Sequence, residues 1–140
     1  MSSTESNSLD PNHEELRYHL ALALAPKVGP GIFKSILAYS GSPKQFFQLT
    51  KGKASKIPKL GDKLLDLLKQ EEKLLKKADE VLNECHKKGY GVQFYTSPKF
   101  PQRLKAQEDG PVLLFTQGNG DLNFERTVGI VGTRSATSYG

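Results

Sequence analysis

The residues best suited to chemistry lie at the C-terminal end of the sequence, in the run R-T-V-G-I-V-G-T-R-S-A-T-S-Y-G from Arg126 to Gly140. Thr127 to Val131 is a β-branched, apolar stretch that predicts a central strand of a parallel sheet, with the turn Gly132-Thr133-Arg134 leading into a helix. Ligands of such folds bind at that end of the strand. In a dinucleotide loop of the form G-x-G-x-x-G, the second glycine lets the backbone approach a pyrophosphate; here that place is taken by Arg134. A guanidinium cannot serve as a close-approach glycine, but it gives planar, bidentate hydrogen bonds to an isolated phosphate. The hydroxyls of Thr133, Ser135, Thr137 and Ser138, with the N–H groups of a helix start, would be further donors. The expected chemistry is therefore the holding of separate phosphates, including those of a nucleic-acid backbone. A Walker A loop is excluded, because its G-x-x-x-x-G-K-[ST] spacing is absent. The alternative is that Gly132 only turns the chain and Arg134 is a solvated surface residue.

Two further places could meet phosphates. Val28-Gly29-Pro30-Gly31 joins two predicted helices in the manner of a helix-hairpin-helix module, whose glycines leave N–H groups open to a DNA backbone without reading bases. Lys27 and Lys34 flank it. A second hairpin, Pro58-Lys59-Leu60-Gly61, has Lys56, Lys59 and Lys63 around it but lacks the second glycine. Gly29, Gly31 and Gly61 with Lys27, Lys34, Lys59 and Lys63 are thus secondary candidates for DNA contact. The competing reading makes both segments compact helix–helix turns that use glycine for positive φ. The lysines between Lys51 and Lys88 alternate with Asp62, Asp66, Glu71, Glu72, Asp79, Glu80 and Glu84, which reads as an ordinary solvated helix face. His13, His19 and His86 show no metal-ligand spacing, and no catalytic triad or carboxylate pair can be assembled. No metal, no cofactor and no catalytic residue are expected.

The elements that must position these residues follow from periodicity. Asp10-Pro11 predicts a helix start, Leu16, Leu20, Ala23 and Leu24 its apolar stripe, and Pro26 its end. A second helix carries Ile32, Phe33, Ile36 and Leu37 and stops at a left-handed Gly41; Ser42-Pro43 starts a short third with Phe46, Phe47 and Leu49. After a short segment with Ile57, one long helix is predicted from near Asp62 to Gly89, its stripe interrupted at Glu71. Beyond Gly89 the texture turns to strands at Val92–Tyr95, Val112–Thr116 and Thr127–Val131, with a turn of helix within Gln102–Gln107 and turns at 98–101 and 118–120. The two halves are expected to pack directly.

Composition sets outer bounds. The chain has 140 residues, 36% hydrophobic and 25% charged, enough for one ordinary core or two small ones. Its net charge of +5 favours anionic partners. Cys85 is the single cysteine, so no internal disulfide can form, and a reducing, cytoplasmic setting is expected. No signal peptide or membrane-spanning stretch is read in the sequence.

Taken together, these residues resemble the N-terminal part of the DprA/Smf family, the DNA-processing proteins of natural transformation. Residues 16–88 are similar to the family's helical, sterile-alpha-motif-like domain with helix-hairpin-helix elements. Phe100-Pro101-Gln102-Arg103-Leu104-Lys105, Asp109 to Phe115 and Gly118-Asn119 resemble the beginning of its Rossmann-like domain, and Val131 to Gly140 matches its V-G-[ST]-R-x-x-[ST]-x-Y-G signature. The fold implied is α+β: a tail at 1–8, an all-α SAM-like/helix-hairpin-helix domain at 9–88, and the first strands of a truncated Rossmann-like α/β domain at 89–140. The resemblance implies a protein that binds and protects single-stranded DNA and helps load the RecA recombinase past single-strand-binding protein, without catalysis. It assigns Gly132, Thr133 and Arg134 to phosphate contact, and Thr137, Tyr139 and Gly140 to shaping the pocket and helix start. It also implies a homodimer formed through the remainder of the Rossmann-like domain. On this expectation 9–88 folds independently and 91–140 offers only a few strands with exposed edges. Two other readings stay open: a Rossmann-like nucleotide or sugar-phosphate enzyme, and a helical protein-interaction module.

Overall fold

The computed structural model describes residues 11–49, 53, 56 and 61–140. The tail at 1–8, the Asp10 cap, Ile57 and the hairpin residues Pro58, Lys59 and Leu60 lie outside the described residues.

Helix α1 (Pro11–Ala23) begins on proline, and the chain tightens beyond it through Leu24 N–H to the Leu20 carbonyl and Ala25 N–H to the Leu22 carbonyl, ahead of Pro26. Helix α2 (Pro30–Ser40) places Phe33 and Ile36 in the core, with Ile32 and Leu37 packed against it, as its spacing predicts. Gly41 ends it with φ 91° and ψ −43°, donating its N–H to the Leu37 carbonyl at 2.8 Å. Its φ is positive, but the conformation is not the left-handed helical one expected. Helix α3 (Pro43–Phe47) is capped by Ser42, whose hydroxyl accepts from Gln45 N–H, and it buries Phe46 and Phe47.

The single long helix expected to run to Gly89 is two helices, α4 (Gly61–Lys69) and α5 (Glu71–Lys88), broken at Gln70 with φ −97° and ψ 12°. The reason lies in the run Lys69-Gln70-Glu71-Glu72-Lys73, which offers no apolar side chain to hold a continuous helix against the core. The break leaves Leu67 on one side and Leu74 on the other both buried. Gly89 closes α5 in the left-handed conformation, its φ of 70° being one that glycine adopts without a Cβ penalty.

Strands β1 (Gly91–Phe94) and β2 (Leu113–Thr116) pair antiparallel, with Gly91 opposite Thr116 and Phe94 opposite Leu113. Between them lies the one-turn helix α6 (Gln102–Lys105). A third strand at Thr127–Val131 does not form: no described residue hydrogen-bonds that backbone, and Val128, Ile130 and Val131 are 88%, 93% and 98% exposed. A strand exists through its ladder, and 127–131 joins neither outer edge of the β1–β2 pair. The expected parallel sheet is thus absent among the described residues.

Helix α1 packs along α5 and is flanked by α2 and α3. Arg17 clamps α1 to α5 through a bidentate pair with Asp79, Nε to Oδ1 at 2.5 Å and Nη2 to Oδ2 at 2.9 Å. The partner carboxylate pushes the Arg17 guanidinium further above its ordinary range. Val112 belongs to the same cluster as Leu20, Phe33 and Phe46, and Val92, Tyr95 and Leu113 pack against that cluster. The change of texture at Gly89 is therefore a change of secondary structure, while the core continues across it.

His19 sits on that seam. It is 3% exposed, its ring lying 4.5 Å from Phe94 of β1 and 5.9 Å from Phe33 of α2 between centroids. Nδ1 donates to the Glu15 carbonyl at 3.0 Å, and Nε2 accepts from the Thr96 hydroxyl at 3.2 Å, which assigns the neutral Nδ1–H tautomer. Burial pushes its pKa down from the ordinary value. Its role is to join the helices to the hairpin.

Candidate nucleic-acid interface

The signature turn is displayed at the surface. Gly132, Thr133, Arg134, Thr137, Tyr139 and Gly140 are all exposed, and the one hydrogen bond within the segment runs from Gly140 N–H to the Thr137 hydroxyl at 3.3 Å. Arg134 has no carboxylate partner among the described residues, whose ion pairs join other groups. Its five N–H donors face solvent, the state in which a guanidinium can be taken up by a phosphate. Residues 131–140 form no helix, so no helix N-terminus aims N–H groups at an anion among the described residues.

The chain leading to the turn is last tethered at Phe124 and Glu125, ahead of Thr127–Val131. Arg103 of α6 donates from Nη1 to the Phe124 carbonyl at 3.0 Å and from Nη2 to the Glu125 carbonyl at 2.9 Å. The Asn123 side chain accepts from Gln102 N–H at 2.7 Å, capping α6 from elsewhere in the chain, and donates to the Phe100 carbonyl at 3.2 Å. Phe100 is fully buried and meets Tyr95 edge-on, with ring centroids 6.1 Å apart. Gly110 closes the loop: a Cβ there would lie 2.5 Å from the Leu104 carbonyl oxygen. Arg103 and Asn123 were not singled out as functional by spacing. Their partners lie 21 residues away, and no periodic pattern carries such a pairing.

The first hairpin divides its candidates. Lys34 is engaged internally, its Nζ donating to the carbonyls of Gln107 and Glu108 at 2.8 Å each and lying 5.2 Å from the centre of the Tyr95 ring. Its charge ties α2 to the loop after α6 instead of facing a ligand. Lys27 is exposed and holds a positive φ of 66°. The glycines themselves do not: Gly29 is extended at φ −86°, and Gly31 lies in the first turn of α2. A Cβ at either would meet nothing within 4 Å. Neither backbone conformation nor internal space requires glycine at 29 or 31, which removes the positive-φ reading of this turn. In the second hairpin Gly61 opens α4, whereas Lys59 and the Lys63 side chain lie outside the described residues. No hydrogen bond or ion pair joins the signature turn to the Lys27–Lys34 hairpin among the described residues.

The exposed signature turn thus follows a small α+β core. Residues 91–140 match the family model of DNA recombination-mediator protein A, a match that starts at the first residue of β1 and includes the whole signature. Over these residues the chain is similar to the DprA/Smf family. Helices α1 to α5 lie outside the matched span. No curated protein and no solved structure gives a significant match to the chain. Among the described residues no group of side chains could hold a metal ion, and no helix is long and apolar enough to cross a membrane.

Proposed function

We propose that this chain serves DNA recombination as part of a DprA/Smf-type protein that binds and shields single-stranded DNA and helps load RecA past single-strand-binding protein. The activity is binding, without a catalytic step, in the cytoplasm. On this reading Gly132, Thr133 and Arg134 hold backbone phosphates, while Thr137, Tyr139 and Gly140 shape the turn. Residues 91–140 would supply the first strands of a Rossmann-like domain through which two copies associate, and the helices a SAM-like, helix-hairpin-helix unit.

The family match over residues 91–140 carries this reading, since it includes the one arginine whose spacing suits separate phosphates. The open space at Gly29 and Gly31 supports a lesser contact there, because glycine that the fold itself does not require leaves backbone accessible from outside. Fluorescence anisotropy with a labelled oligo-dT strand is the test. Affinity should fall as salt is raised, and Arg134→Ala should weaken it about tenfold or more. Equal affinity of the variant and the parent chain would refute the phosphate role of the turn.

A further inference from the structure

The lysines of α5, read from sequence as a solvated face, are arranged around a groove. It has a volume of about 400 Å³, and Leu24, Pro26 and Leu74 supply its apolar part, between the end of α1 and α5. Lys73, Lys76 and Lys77 stand around it. Lys73 and Lys77 are four residues apart on α5 and so share one stripe of the helix, with Leu74 beside that stripe, three residues before Lys77. All three lysines are exposed, and none has a carboxylate within ion-pair distance among the described residues. Glu80 is the single acidic group in the lining, which leaves the groove with a net positive charge.

These features select among anionic occupants. A single strand of nucleic acid is held by aromatic side chains under its bases, and no aromatic residue lines this groove. A phosphodiester backbone would also leave the apolar part unused and meet the Glu80 carboxylate. An acidic peptide uses every part. An apolar side chain covers Leu24, Pro26 and Leu74, neighbouring carboxylates reach the lysines, and a peptide N–H can donate to Glu80. We propose that this groove docks an acidic segment of a partner protein through one apolar side chain flanked by carboxylates. The inference stands apart from the nucleic-acid reading, since the groove shares no residue with the signature turn or its hairpin.

The probe is a fluorescein-labelled octapeptide with a Leu-Phe pair between aspartates, titrated with the full chain and followed by anisotropy. Saturable binding with Kd on the order of 10–100 µM is expected. Lys73→Glu with Lys77→Glu should weaken it about tenfold, as should replacing Leu-Phe in the peptide by Ser-Ser. Both lysines are exposed, so far-UV circular dichroism of the double variant should match the parent and exclude unfolding as the cause. Absence of saturable binding, equal binding by the charge-reversed variant, or equal binding by an all-aspartate peptide would overturn the proposal. So would an oligo-dT strand that displaces the peptide and loses affinity with the same two substitutions, since the groove would then be a nucleic-acid site.

Discussion

Phe33 and Ile130 are both large apolar side chains in stretches whose pattern promises burial, yet Phe33 is 1% exposed and Ile130 is 93% exposed. The difference lies in what is brought against them. Phe33 is carried on α2 into a cluster closed by α1, α3 and the hairpin residue Val112, with the His19 ring beside it. Ile130 belongs to a segment that has neither a ladder partner nor a covering helix among the described residues. One region is fixed by several elements at once; the other displays its chemistry on backbone that nothing holds beyond the anchor at Phe124 and Glu125. The family signature therefore resides in the part of the molecule least determined by its own packing.

The largest test of that contrast is Phe33→Ala. Removing this ring should cost about 3–5 kcal/mol in a urea melt. Because Val112 shares the cluster, protection of the β1–β2 amides should be lost in the same transition. Hairpin amides that outlast the helices would split the first region in two and break the comparison there.

Acid gives an intermediate effect at the seam. The folded-state pKa of His19 is lowered below its unfolded value near 6.5, so the unfolded chain takes the proton first. The stabilisation from neutral His19 is complete above that unfolded value and is lost as pH falls through it toward the folded pKa. Melting temperature should drop between about pH 7.5 and about pH 5, and His19→Leu should show a shallower fall over the same range. Equal slopes would remove His19 from the seam's energetics.

Ile130→Ser should have the smallest effect, within about 0.5 kcal/mol in the same melts, as for surface positions that touch nothing. A loss of about 2 kcal/mol, of the size seen when a buried aliphatic side chain is cut back, would show that residues 127–131 are packed in solution.

Helical spacing made α1, α2 and α3 legible, because each presents apolar residues at three and four to a shared core and each is bounded by proline or glycine. The apolar stripe continues in spacing on both sides of Lys69 to Lys73, so periodicity predicts one helix, while those five polar residues let it break at Gln70. Thr127–Val131 failed for a deeper reason. Its sequence is that of a buried strand, but burial depends on partners, and composition cannot say whether they are present. The tethers of Lys34, Arg103 and Asn123 join residues far apart in sequence through single side chains, and these leave no periodic trace. The signature from Val131 to Gly140 was legible, because it consists of residue types at fixed spacing, and the family match includes it.

The first hairpin carries an inversion. Lys27, which has a side chain, occupies the left-handed conformation where glycine is cheapest, while Gly29 occupies one that alanine could adopt freely. A chain shaped for folding alone would exchange them: Lys27→Gly relieves the strain, and Gly29→Ala gains about 0.4–1 kcal/mol by restricting the unfolded chain. The double variant should melt higher and bind oligo-dT no better than the parent, since the added methyl shields backbone and a cation is lost. If the hairpin is the lesser phosphate contact proposed above, a higher melt with weaker oligo-dT binding separates what folding asks of these residues from what a ligand would meet.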